Sequence, residues 1–191
     1  TKAFPMPGST TVRLFIALGV GSPLSDAIAA MRGSLAGVRW VDPATCHVTL
    51  RFLGEVSGRD RLEDIDMALS AIRAPAVLLR PEAPGVFQQD GGQQTLWIGV
   101  ERNAPLLHLH RKVDTALRRS AGLAIERRRF VPHITIGAIA VPAPDRLAPW
   151  LARWSALPLP PVEVRRLTLF RSLRGFDEPV YESLAEYDLA G

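Results

Sequence analysis

A chain of 191 residues, 47% hydrophobic and with charge scattered rather than blocked, is long enough to bury one sizeable core or two fused lobes. Its net charge of +4 comes from 23 Lys+Arg, nearly all Arg, which favours anionic partners because a planar guanidinium forks onto phosphate. No apolar run nears the roughly 20 residues of a membrane span, no basic leader opens the chain, and the single Cys46 excludes an intrachain disulfide or a multi-cysteine metal site, so a soluble cytoplasmic protein is expected.

Residues 11–18 (TVRLFIAL) read as a strand. Ser22 and Pro23 then read as a helix start, with Leu24, Ala27, Ile28, Met31 and Leu35 at helical spacing and Gly37 as the stop. A strand is expected over 46–54 and a helix over 59–72, where Leu62, Ile65, Leu69 and Ile72 form one stripe. Short strands follow at 77–80 and 95–100, and Asp90-Gly91-Gly92 between them predicts a hairpin or exposed loop. That glycine pair is not a phosphate loop, since no Gly-Lys-Ser/Thr follows it and no helix opens after it. The spacing predicts a helix over 104–120 capped by Asn103, with Leu106, His110, Val113 and Leu117 inward. A strand at 133–140, a helix at 145–157 and strands at 162–173 and 179–189, joined by a turn at 174–177, complete the chain. Residues 1–10 are expected as a flexible tail on one domain of two lobes spanning 1–191, and nothing suggests a coiled coil, so a monomer is expected.

Two strings share one pattern: His47-Val48-Thr49-Leu50 and His133-Ile134-Thr135-Ile136. On a strand, side chains alternate, so each string sets an imidazole and a hydroxyl on one face and two apolar groups on the other. The strings lie close to half the chain apart, which fits two related lobes facing one cleft. Taken singly, either histidine reads as a hydrogen-bonded structural residue rather than as a catalyst. As a pair, with an ordinary pKa of about 6.5, they suit acid and base work in one turnover. The chemistry best served is displacement at phosphorus, with Thr49 and Thr135 donating to the non-bridging oxygens.

The strings resemble the paired motifs of the 2H phosphoesterase superfamily. The flanks extend the likeness from Val12 to about Leu189: Arg13-Leu14-Phe15-Ile16-Ala17-Leu18, Arg51-Phe52-Leu53-Gly54-Glu55 after the first motif, Leu96-Trp97-Ile98-Gly99-Val100, Arg129-Phe130-Val131-Pro132 before the second, and Leu169-Phe170-Arg171-Ser172. Together they resemble its RNA 2′,3′-cyclic phosphodiesterase branch, also labelled 2′-5′ RNA ligase. That resemblance implies a bilobal α+β fold with antiparallel sheets lining a cleft, no metal or other cofactor, and hydrolysis of a 2′,3′-cyclic phosphate at an RNA 3′ end to a 2′-phosphate. It further implies His47 as proton donor and His133 as proton acceptor, with 2′-5′ ligation as the reverse reaction; hydrolysis is expected to dominate because water is in large excess.

Many relatives carry Arg where this chain has Ala138. Arg51 and Arg129 are the expected substitutes, Arg51 because strict alternation sets it on the face of His47 and Thr49, and Arg129 because the resemblance favours it near the cleft. The run Arg127-Arg128-Arg129 reads either as a solvated turn or as an RNA-backbone contact. Phe87 is read either as a nucleobase platform or as an ordinary core residue. His108 and His110 do not face one another on a helix and are expected not to bind metal; Cys46 is expected as a small buried apolar group, and Trp40 as a border of the cleft. Two other functions remain open: an RNA-end binding protein with weak catalysis, and a phosphodiesterase of small cyclic nucleotides.

Overall fold

The computed structural model describes residues 11–88, 92–124, 126–141, 143–174 and 179–189. The expected tail at 1–10, the tip of the glycine turn and the centre of the last hairpin lie outside the described residues. The first strand, β1 (Val12–Gly19), buries Leu14, Ile16 and Leu18. Helix α1 (Leu24–Met31) follows, with Pro23 rather than Ser22 at its N-cap, and buries Leu24, Ile28 and Met31. Then come β2 (Val38–Trp40), a 3-10 turn at Pro43–Thr45, β3 (His47–Val56), α2 (Arg59–Ser70) and β4 (Val77–Leu79). The second half runs β5 (Pro81–Gln88), β6 (Gln94–Val100), α3 (Ala104–Ser120), β7 (His133–Ile139), α4 (Pro144–Ser155), β8 (Val162–Val164), β9 (Arg166–Arg174) and β10 (Pro179–Asp188). The Asn103 side chain accepts from the Leu106 N–H at 3.0 Å, so α3 starts on the cap expected of it.

Two strands escape sequence reading. β5 contains Pro81, Pro84 and Gly85, which argue against a strand interior, yet it lies at the sheet edge, where a missing N–H breaks no ladder bond. β2 is only three residues long and is held by its pairing with β7 rather than by any propensity. The segment expected as one strand over 162–173 is divided at Arg165, with β8 leaving to pair with β4 and β9 joining the main sheet.

Among the described residues, eight strands form one antiparallel sheet in the order β10-β9-β1-β3-β7-β6-β5, with β2 also on β7, so the fold is α+β. The order is near-symmetric about the β3/β7 boundary. β1 flanks β3 as β6 flanks β7, and β9 and β5 lie next outward. The chain repeats accordingly, strand–helix–strand–helix–strand, as β1-α1-β3-α2-β4 and then β6-α3-β7-α4-β8, with β2 inserted in the first round. Each round's next strand crosses over: β5 pairs with β6 and β9 with β1.

The symmetry extends to backbone irregularities. Along β1, Ala17 pairs with Thr49 and Ile16 with Arg51, so Leu50 is an extra residue in β3. Along β6, Trp97 pairs with Thr135 and Leu96 with Gly137, so Ile136 is the extra residue in β7. Both bulges occupy the fourth position of the repeated motif, and both invert the alternation that follows. The residues after them, Arg51 and Gly137, therefore turn inward beside Leu50 and Ile136, whereas Phe52 and Ala138 keep the face of the histidines.

This corrects the expectation for Arg51. Its side chain is 7% exposed and enters a polar knot behind the sheet, where Nη1 lies 3.1 Å from Asp114 Oδ1 on α3 and 3.8 Å from Glu126 Oε2. Nη2 donates to the Ala124 carbonyl. One guanidinium thus ties β3 to α3 and to the segment entering β7. Replacing Arg51 by Ala strands two acidic groups, both partly solvated, and is expected to cost about 3 kcal/mol in urea denaturation. A variant as stable as the wild type but with a raised KM would instead return Arg51 to the substrate.

Candidate active site

One bridge brings the motifs together: Val48 of β3 pairs antiparallel with Ile134 of β7. Continued by one residue on either side, this register sets His47 opposite Thr135 and Thr49 opposite His133, all four on the face away from the core. Directly opposed positions lie about 5 Å apart and diagonal ones about 7–8 Å, so the two imidazoles flank a space the size of a phosphate group. Beyond this bridge β3 and β7 no longer pair. β2 takes over beside β7, and Val41 N donates to Ile136 O at 3.0 Å, while residues 42–46 loop out between β2 and β3.

Each ring is aimed by the same device. His47 Nδ1 lies 2.8 Å from the Thr45 carbonyl, and His133 Nδ1 lies 2.7 Å from the Val131 carbonyl, in both cases the residue two before the histidine. A carbonyl only accepts, so each Nδ1 carries hydrogen and each Nε2 is left for the cleft, as a base when neutral and as a donor when protonated. The strand outside each motif supplies a glycine opposite the histidine, Gly19 for His47 and Gly99 for His133.

The surroundings of the two rings differ. His47 sits among Phe15, Phe170 and Tyr181, with ring centroids at 4.9, 5.6 and 5.2 Å. Burial there pushes its pKa below the ordinary histidine value, against the opposing hydrogen bond to Thr45, and the nearby charge of His133 acts in the same direction as burial. His133 meets the edge of Phe87 at 5.1 Å, and Phe87 stacks on Trp97 at 4.9 Å. Trp97 in turn lies flat on Gly85, where a side-chain carbon would come within 2.4 Å of the indole.

A cavity of about 400 Å³ opens beside the motifs, and its wall includes Thr135, Ala138, Thr45, Tyr181, Thr95 and Arg39. Thr135 lines this cavity, Thr49 shares its face by register, and Phe87 lies outside the lining, against His133 and Trp97. Arg129 is exposed on the segment before β7, as are Arg127 and Arg128. Trp40 turns to the helix side, 6.2 Å from Trp150 on α4, rather than bordering the cleft. Cys46 is buried, and burial together with nearby Asp42 pushes its thiol up to about 12, which leaves it inert. No cluster of His, Cys, Asp and Glu able to hold a metal ion occurs among the described residues. Sequence reasoning assigned no role to Arg39, Phe15, Phe170 or Tyr181: Phe15 and Phe170 stood only within the resembling flanks, Tyr181 only as aromatic filling of a strand, and Arg39 carried no signal before its pairing was known.

Residues 20–176 match the 2′-5′ RNA ligase superfamily. The chain belongs to this superfamily. A relative from Archaeoglobus fulgidus, named RNA 2′,3′-cyclic phosphodiesterase, is 29% identical over 181 residues, covering 93% of this chain and 100% of the relative. One of the same name from Aeropyrum pernix is 30% identical over 171 residues, covering 85% and 95%. Among solved structures, apo LigT of E. coli superposes with a TM-score of 0.74 at 23% identity, covering 95% of this chain and 99% of that one. A Thermus thermophilus protein does so with a TM-score of 0.72 at 24% identity, covering 94% and 98%. These two likenesses concern the fold of this 2′-5′ RNA ligase superfamily member.

The depressed His47 value has a consequence for stability. Below the ordinary histidine pKa an unfolded chain binds a proton at residue 47 that the folded chain resists, while well above it both states are neutral there. Acidification from about pH 7.5 to about pH 5 is therefore expected to lower the melting temperature more in the wild type than in His47→Gln. Equal losses in the two proteins would remove the desolvation assigned to this ring.

Proposed function

We propose that this protein is an RNA 2′,3′-cyclic phosphodiesterase in which His47 and His133 act as acid and base on one phosphorus atom without a metal ion. The observation that carries the reading is the Val48–Ile134 bridge, from which the antiparallel His/Thr diagonal follows. Superfamily membership and the relatives named RNA 2′,3′-cyclic phosphodiesterase support the same substrate class.

In this mechanism a cyclic phosphate enters with its non-bridging oxygens towards Thr49 and Thr135, which donate hydrogen bonds as charge builds on them. Neutral His133 takes a proton from water through Nε2, and the water oxygen bonds to phosphorus. On the far side the P–O3′ bond breaks and protonated His47 gives its Nε2 proton to the leaving oxygen. The products are a 2′-phosphate and a free 3′-hydroxyl, and solvent exchange resets both rings. The low pKa of His47 makes it a stronger acid, and the anionic substrate offsets the burial that disfavours its charge. With a 5′-hydroxyl in place of water, the same steps form a P–O5′ bond as the P–O3′ bond breaks, giving a 2′-5′ linkage and a free 3′-hydroxyl, which accounts for ligation. Phe87, stacked on Trp97 and edge-on to His133, is proposed as a nucleobase contact, and Arg129 as a contact to the strand backbone. The protein is proposed to act as a monomer in the cytoplasm; no described helix is long and apolar enough to cross a membrane.

The test is turnover of an oligonucleotide ending in a 2′,3′-cyclic phosphate, in EDTA, with the product mapped. The wild type is expected to yield a 2′-phosphate, and His47→Ala and His133→Ala each to lose about 10²- to 10⁴-fold in kcat while remaining folded. A 3′-phosphate product, or full activity in either variant, would contradict the assignment.

A further inference from the structure

We propose that Arg39 of β2 is the substrate phosphate-binding cation of this cleft, occupying from the neighbouring strand the place that Ala138 leaves without charge. The inference rests on the phosphodiesterase reading and adds to it a residue that neither the motifs nor their flanks contain.

Three observations converge. The β2/β7 register pairs Arg39 directly with Ala138, so the two side chains share one face of the sheet. That face is the cleft face. Because Ile136 is the extra residue of the β7 bulge, Ala138 is the next position after Thr135 on the side of the histidines. Two strand positions span about 6.6 Å, within reach of an extended arginine pointing back towards the phosphate site between the rings. Finally, Arg39 is exposed, and it is the single cation among the described residues lining the cavity that Thr135, Thr45 and Tyr181 also line.

The placement of β2 is itself enforced. A side-chain carbon on Gly137 would meet Val38 Cγ1 at 2.6 Å and the Arg39 carbonyl at 3.0 Å, so glycine at 137 is what lets β2 close on β7 and carry Arg39 into the cleft. Arg51 cannot serve, since it lies behind the sheet with Asp114 and Glu126. A guanidinium that holds the phosphate in ground and transition states alike strengthens binding without changing the chemical step.

The test compares wild type, Arg39→Ala and the double variant Arg39→Ala/Ala138→Arg on an oligonucleotide ending in a 2′,3′-cyclic phosphate, with melting temperature as the check on folding. Arg39→Ala is expected to raise KM about 10- to 100-fold with kcat little changed, unlike loss of either histidine. The double variant, with its cation moved to the facing strand, is expected to recover most of that loss. An unchanged KM in Arg39→Ala, or a loss that Ala138→Arg does not relieve, would overturn the proposal. If the wild type itself shows no turnover, the phosphodiesterase reading fails, and Arg39 is judged by binding of an oligonucleotide ending in a 2′-phosphate. Weaker binding in Arg39→Ala, restored in the double variant, supports its role; equal binding in all three refutes it.

Discussion

A single cross-strand bridge between Val48 and Ile134 governs the chemistry available to this molecule, because a strand face is decided by register one residue at a time. Slipped by one position, the pairing would send the imidazole and hydroxyl of one motif into the core and leave the other motif facing the cleft alone. The slip is opposed by Val48, Leu50, Ile134 and Ile136, all buried against the helices, so the apolar halves of the two motifs hold the polar halves in place. The antiparallel direction then sets each histidine opposite the other motif's threonine. Two copies of one four-residue pattern become a site with an imidazole on either side.

The bulges at Leu50 and Ile136 are the second device. Each ends the alternation just after the motif, and the burial sequences of β3 and β7 agree over their first five residues. The inverted positions are used differently in the two halves. In one, Arg51 turns inward and fastens β3 to α3 and to the segment before β7. In the other, Gly137 turns inward and makes room for β2, which brings Arg39 alongside Ala138. The halves also differ in dielectric surroundings. Three aromatic rings surround His47, and burial there lowers its pKa, whereas His133 packs against a single stacked pair, so identical motifs sit in unequal surroundings.

Much of this was legible in the residues alone. Alternation within His-x-Thr-x is short-range and survives, the Asn103 cap and the stripe from Leu106 to Leu117 mark α3, and the doubled pattern points to two related halves. What could not be read depends on partners distant in the chain. A bulge is a mismatch between two strands, and nothing in Leu50 or Ile136 announces it, so strict alternation put Arg51 on the wrong face. β5 carries prolines that only an edge position tolerates, and β2 is a strand only because β7 lies beside it. Arg39 is an unremarkable residue until its register with Ala138 is known.

The central claim is that both imidazole Nε2 atoms meet one phosphate, and ¹⁵N NMR of the two histidines during titration with an oligonucleotide ending in a 2′-phosphate tests it most directly. Both Nε2 resonances are predicted to shift along one saturation curve, while both Nδ1 sites retain the signature of an N–H bonded to a carbonyl. Movement of only one ring, or two curves with separate midpoints, would mean that the histidines do not share a phosphorus atom.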